Sequence, residues 1–407
     1  MRRFMLASGL ALTLAVPAAA DIEVTDPVTI GLDAQALEGV RSALEADVEE
    51  GRVPGALLLI SRNGKVGFFA ALGQQGPDDP TPMASDTIFR IYSMTKPIVS
   101  VAAMMLVEQG RLALDEPVAT YIPPFAAMEV LQPAGATYVI TEDKRRTAQT
   151  TMTVRDLLRH TSGMIYGIFD DGRFAELYAE AGVANDDITT DEFARRMGRL
   201  PLRFDPGTAW HYGRSTDVLG RVIEVATGMP LDQALDEMIF QPLGMTDTAF
   251  FQDPSQAERF AQPVTPLFDM ADPMPMLSGG GGLTSTMEDY LRFVMMLRNR
   301  GSLDGVRIIR PETLAFMTEN HIEGLDRSYF YPGDAYGFGL GFAVRIEEEG
   351  DYPGTVGDYW WRGLAGTYFW VDPRKDVFAI FLIQDPANRV YYTGQTREWV
   401  YGALAGD

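Results

Sequence analysis

The apolar period of this chain changes twice along its length, and no other feature constrains its fold as much. Residues 55–73, GALLLISRNGKVGFFAALG, read as two apolar strands joined by Asn63-Gly64, a dipeptide favoured in two-residue hairpin turns because both positions tolerate positive φ. A helical pattern precedes them, with Leu37, Val40, Leu44 and Val48 on one face and Gly51 beyond. From about Pro97 to about Arg310 the helical period dominates. There Thr153 and Asp156 stand in capping-box positions with Gly163 as a stop, and Ser285 and Glu288 suggest a second box. The tail returns to short β-branched and aromatic runs, YGFGLGFAV, AGTYFWVD and VFAIFLI, with TREWVYGAL as a closing helix. The simplest assembly is an α/β fold. Its antiparallel sheet combines the early hairpin with the late strands, is flanked by N- and C-terminal helices, and carries a large inserted, mostly helical domain. The expected division is 21–96 with 311–407 for the α/β sandwich and 97–310 for the insert. Stretches 164–190 and 251–278, rich in Asp, Met, Pro and Gly, read as loops around a cleft.

Packing alone must hold this fold, because the 407 residues include no Cys. Disulfides, thiolate metal sites and a Cys nucleophile are excluded. A hydrophobic share of 46% and a charged share of 22% describe an ordinary globular protein. The formal charge of −22 repels phosphate backbones and argues against nucleic acid as a partner. The first twenty residues, MRRFMLASGLALTLAVPAAA, place two Arg, an apolar run and small residues ahead of Asp21, the layout of a cleavable export signal. The run is too short and wrongly flanked for a membrane anchor. A mature chain starting near Asp21 is expected to have no membrane span and to be periplasmic or secreted.

Lys is scarce, with four residues against thirty Arg, and Lys96 opens the apolar helix of IYSMTKPIVSVAAMMLVEQG. A guanidinium does not lose its proton in a protein, whereas a partly buried ammonium can. Ser93 lies three residues earlier, and helix positions i and i+3 are about 60° apart, so hydroxyl and amine can meet on one face. With Ser93 as the cap, Pro97 falls within the first four residues, whose amides have no helical acceptor. The helix dipole and burial both disfavour a charged Lys96. A neutral Lys96 would take the Ser93 proton, and the outward amide of Ser93 would bind an oxyanion. The other Lys follow Arg62, Thr141 and Asp372 at this spacing, so the sequence holds a single S-x-x-K.

That motif, then LLRHTSGM, PGTAWHYGRSTDVLGRVIE, GGGGLTST and WWRGLAGTYFWVDP, stand in the order and spacing of the serine β-lactamase and penicillin-binding protein superfamily. From about residue 35 onward the chain resembles the class C-like branch, and within it the β-lactamase-like carboxylesterases. The resemblance implies a helical domain set on an α/β sandwich with the site in the crevice between them. It also implies that Tyr212 faces Ser93 and Lys96 as a proton shuttle, and that Leu364 supplies a second oxyanion amide. Two departures bear on substrate. The family's Tyr-x-Asn reads Tyr212-Gly213-Arg214, which removes the Asn that would hold an acylamino side chain. Its Lys-Thr-Gly reads Trp361-Arg362-Gly363, and this Trp-x-Gly resembles the esterase branch, where an apolar wall suits a neutral acyl group. Arg362 would attract a carboxylate unless strand alternation turns it away from its neighbours. Trp361, Arg362, Gly363 and Arg214 are the expected substrate-binding residues.

Other hydrolase plans fit poorly. No Gly-x-Ser-x-Gly elbow occurs, and His160, His211 and His321 form no zinc-binding pattern. His160 is expected to bond terminal carbonyls at a helix end, and His211 either to line the cleft or to pack beside Tyr212. GGGGLTST lacks the ending of a phosphate loop and reads as a tight turn into a capped helix. The expectation is an exported serine hydrolase that cleaves carboxylic esters of small neutral acyl groups through an acyl-Ser93 intermediate, without metal or cofactor. One alternative keeps the mechanism and acts on a β-lactam, a D-amino-acid peptide or another amide. Another is a non-catalytic binding protein on the same fold. No oligomeric state follows from the sequence.

Overall fold

The computed structural model describes residues 22–132, 143–170, 172–184 and 187–405, so the expected export signal lies outside the described residues. Seven strands form one antiparallel sheet: β1 (Gly55–Arg62), β2 (Lys65–Gly73), β3 (Tyr336–Phe338), β4 (Ala343–Arg345), β5 (Tyr359–Arg362), β6 (Tyr368–Asp372) and β7 (Val377–Leu382). Their order is β2-β1-β7-β6-β5-β4-β3, so the early hairpin joins the late strands, with Leu59 opposite Ile380. The hairpin turns through Asn63 at φ 54° and Gly64 at φ 72°, the two positive angles its dipeptide was expected to adopt.

Side-chain alternation divides the sheet into two buried faces. Register puts Trp361, Phe369 and Ile380 on one face, where Tyr290 of the helix Met287–Arg298 meets Phe369 with ring centres 5.3 Å apart. Trp360, Trp370, Tyr368 and Phe381 occupy the other, under the helices Ala34–Glu49 and Arg389–Gly402. Tyr392 packs there against Phe381, ring centres 4.8 Å apart, and donates to Asp47 at 2.8 Å, linking the first helix to the last. Full burial of such large apolar side chains contributes roughly 1.5–3 kcal/mol each, which is how a chain without disulfides holds together.

Between the hairpin and β3 the chain is mainly helical. The helix Thr95–Glu108 is apolar around nearly its whole circumference and correspondingly buried. A short antiparallel pairing of Phe89–Arg90 with Thr284–Ser285 sets the entry to this helix beside the glycine loop 279–282. The capping box of Thr153 and Asp156 is present on the helix Val154–Leu158. That helix stops before Gly163: His160, at φ 57°, turns the chain instead, a conformation that His adopts more readily than most residues. The second box is displaced by one residue. Thr286 caps and accepts from the Asp289 amide, because Ser285 is held in the strand pair with Phe89 and Glu288 takes the Ser85 hydroxyl at 2.6 Å.

Candidate active site

Ser93 does not cap the helix. It sits in a 3-10 turn, Tyr92–Met94, that runs straight into Thr95–Glu108, and the N-cap position falls to Met94, which makes no side-chain cap bond. The Ser93 hydroxyl is engaged elsewhere: Tyr212 donates to it at 2.7 Å and the Lys96 amine lies at 3.2 Å. Tyr92, just before it, is held at φ 43°, a strained conformation for a bulky side chain and one of a kind that clusters at functional sites. Neighbouring segments lock the turn. The Ile91 amide bonds Leu283 O at 3.1 Å, the Leu283 amide bonds Thr95 Oγ1 at 3.1 Å, and Thr367 Oγ1 bonds Ile91 O at 3.2 Å. Gly363 is required by the same crowding, since a Cβ there would lie 2.4 Å from Ile91 O.

Lys96 is 1% exposed. Its amine meets Ser93 Oγ, the Tyr166 hydroxyl at 3.0 Å and the Gly280 carbonyl at 2.5 Å. Among the described residues no carboxylate lies within ion-pair distance of it. Gly280 and Tyr166 stand as acceptors for two of the amine's hydrogens, and its third direction faces the Ser93 hydroxyl. Burial, and then the neighbouring Tyr166 and Tyr331 phenols, push Tyr212 well above the usual phenol range, so it stays protonated and donates to Ser93.

Tyr166 is the group that sequence reasoning missed. It lies in a stretch read only as loop, with nothing to single it out among 16 Tyr. Its place is set locally: Tyr178 OH accepts from the Ile165 amide at 3.2 Å, and Asp170 accepts from the Gly167 amide and from Arg203, each at 3.0 Å.

Ser93 opens into a cavity of about 580 Å³ bordered by both predicted loop regions. Ile168, Phe169, Phe250, Phe268, Met274 and Met276 form an apolar wall, and Arg214, Arg362 and Arg389 bring positive charge. Gly363 and Leu364 also line it. The Gly363 amide is taken by Thr367 O at 2.7 Å, whereas the Leu364 amide has no acceptor among the described residues, as an oxyanion donor requires.

The expected substrate residues separate. Trp361 does not reach the cavity; it is fully buried behind Tyr212, with ring centres 5.3 Å apart, and supports that phenol. Arg362 points to the opposite face of the sheet, as alternation allows, and donates to Thr393 at 3.2 Å while still bordering the cavity at the strand end. Arg214 lines the cavity but leans on Asp217 at 3.6 Å. His160 bonds no terminal carbonyl with its ring: it packs against Tyr212, ring centres 4.9 Å apart, and burial followed by the nearby Lys96 charge pushes its pKa well below normal. His211 is lowered to about 4 by burial and then by Arg203, and packs beside Tyr329. Among the described residues no group of three His, Asp or Glu is arranged to hold a metal ion.

A Ser hydroxyl held between a buried Lys amine and a Tyr hydroxyl, beside β5, is an arrangement suited to a serine hydrolase. A family model described as Beta-lactamase matches residues 40–400, and the chain belongs to that family. It is 31% identical over 393 residues to esterase EstB of Burkholderia gladioli, covering 88% of this chain and 93% of that one. To monacolin J acid methylbutanoyltransferase of Aspergillus terreus it is 26% identical over 408 residues, 90% and 95% of the two chains. Its fold is similar to that of EstCE1, described as a hydrolase with promiscuous acyltransferase activity, with a TM-score of 0.78 at 27% identity over 90% of this chain and 99% of that one.

Proposed function

We propose that this protein is an exported esterase that cleaves carboxylic esters of small neutral acyl groups through an acyl-Ser93 intermediate. The observation that carries the reading is the Ser93 hydroxyl held between Tyr212 at 2.7 Å and Lys96 at 3.2 Å. Lys96 takes the Ser93 proton as Oγ attacks the ester carbonyl, and the amides of Ser93 and Leu364 bind the oxyanion. Tyr212, kept as a phenol by its surroundings, gives its proton to the departing alkoxide. Passage of the Lys96 proton to Tyr212 restores the resting pair, and the same groups then activate water against the acyl-enzyme. The apolar wall of the cavity suits the acyl or alcohol part, and the missing Lys-Thr-Gly and Tyr-x-Asn disfavour a β-lactam. Export rests on the layout of the first twenty residues.

The likeness to EstB supports ester hydrolysis, and the acyltransferase relatives support transfer of the same acyl group to an alcohol. Intact-mass spectrometry after brief exposure to p-nitrophenyl acetate, a penicillin and a fluorophosphonate, with Ser93→Ala alongside, tests the reading. Ester turnover and probe labelling that vanish together in Ser93→Ala are expected, with little penicillin hydrolysis. Unchanged turnover in that variant, or a penicillin hydrolysed faster than the ester, overturns it.

A further inference from the structure

This inference rests on the reading of Ser93 and Lys96 as nucleophile and base, and asks what holds the base in place. Of the three partners of the Lys96 amine, the Gly280 carbonyl is the shortest contact and the one that can only accept. It belongs to a run of four glycines, which have no side chains to anchor them and the greatest backbone freedom of any residue. An outside anchor is needed, and Asp217 provides it.

Asp217 is 1% exposed and lies in the first turn of the helix Ser215–Thr227. A carboxylate there ordinarily bonds the free amides of its own helix. Asp217 instead turns Oδ1 outward to the glycine loop, accepting from the Gly280 amide at 3.0 Å and the Ser278 hydroxyl at 2.5 Å. The loop is pressed onto it so closely that a Cβ on Gly280 would lie 2.7 Å from Oδ2. That second oxygen has no hydrogen bond, and its charge is faced by Arg214 at 3.6 Å. A buried carboxylate so sparsely satisfied is costly, and the fold carries it where it fixes the residue whose carbonyl binds Lys96.

We infer that Asp217 is a positioning residue for Lys96: through its bond to the Gly280 amide it holds the Gly280 carbonyl against the amine and so aims the lone pair at Ser93. Arg214, placed where the family's Asn would hold substrate, balances Asp217.

The test compares the full-length mature protein with Asp217→Asn and Ser278→Ala, and with Asp289→Asn, a control at a buried carboxylate that bonds the Asp247 amide and Thr248 and makes no bond to the glycine loop. Three quantities are read: the rate of Ser93 labelling by a fluorophosphonate, kcat and KM on p-nitrophenyl acetate, and the side-chain NMR signals after biosynthetic 13C-lysine incorporation, which four Lys leave readable. In Asp217→Asn, labelling and kcat are expected to fall together by about 10- to 100-fold, because small misplacements of a catalytic group are that costly, while KM stays within about twofold. The Lys96 signal shifts in this variant and not in Asp289→Asn. Should Asp217→Asn fold poorly, Ser278→Ala, which frees the same carboxylate oxygen, shows a smaller slowing of about 3-fold with the same unmoved KM. Wild-type labelling with an unmoved Lys96 signal in Asp217→Asn overturns the inference. So does an equal loss in the control. Labelling and the lysine signal do not depend on which ester is the substrate, so failure of the esterase reading is seen separately, in the ester kinetics of the wild type.

Discussion

The two faces of the main sheet each bury a cation, and they treat it in opposite ways. Under the C-terminal helix, Arg397 is saturated: Asp358 accepts from it through both oxygens at 2.9 and 3.0 Å, Tyr368 OH accepts at 2.7 Å and Pro353 O at 3.1 Å. On the other side Lys96 meets two hydroxyls and a carbonyl, with no carboxylate within ion-pair distance among the described residues. A guanidinium locked to a carboxylate has nowhere to send a proton, so its cluster can only stabilise the fold. An amine can exchange a proton with a neighbouring hydroxyl, and on the proposed mechanism that neighbour is Ser93. Both groups are buried, at 1% and 0% exposure, so the contrast lies in their partners.

Substitutions can break or sharpen this contrast. The largest effect is expected for Lys96→Arg, which puts a group that cannot give up its proton where the proposed mechanism needs a base; p-nitrophenyl ester turnover should fall by about 10³- to 10⁴-fold. A loss of only a few-fold would mean that Lys96 acts as a charge, like Arg397. On the other face, Asp358→Asn should cost about 3–5 kcal/mol in denaturant unfolding, because one member of a buried pair is left behind, while kcat per folded molecule stays within about twofold. A collapse of activity in folded Asp358→Asn would show that the two faces are coupled.

A smaller effect concerns pH. On the Lys96 side the histidines are held neutral, with His211 lowered to about 4. A folded pKa below the unfolded value means that this stability is present above about pH 6.5 and is lost as pH falls toward 4, by roughly 2 kcal/mol for a group not wholly shielded. His211→Gln should flatten that part of the stability profile, and an unchanged slope would assign it elsewhere. Smallest is Tyr166→Phe, which removes one neutral partner of Lys96 and should lower kcat about 5-fold, for about 1 kcal/mol. An undiminished kcat would mean that Gly280 alone suffices to aim the amine.

Much of the architecture was legible because it follows from local periodicity. Alternating or continuous apolar runs located the hairpin and the late strands, and Asn63-Gly64 announced its own turn. The misreadings were local competitions decided by distant partners. Ser93 has the composition of a cap but its hydroxyl is engaged by Tyr212, which is 119 positions away, and Ser285 lost a capping role to its pairing with Phe89. Trp361 was expected to touch substrate and supports Tyr212 instead, because strand alternation turns its indole into the interior.

The sequence by itself determined the Ser93 and Lys96 pair, since three residues of helical spacing bring hydroxyl and amine together whatever surrounds them. It also determined the strand and helix periods, and with them the class of fold. Only the tertiary structure decided that Tyr166 would join the amine, that Asp217 would leave its own helix to hold the glycine loop, and that Arg362 would bond Thr393 behind the sheet. Those choices depend on contacts between segments tens to hundreds of residues apart, whose geometry is set by how the sheet and the helices pack and carries no trace in local spacing.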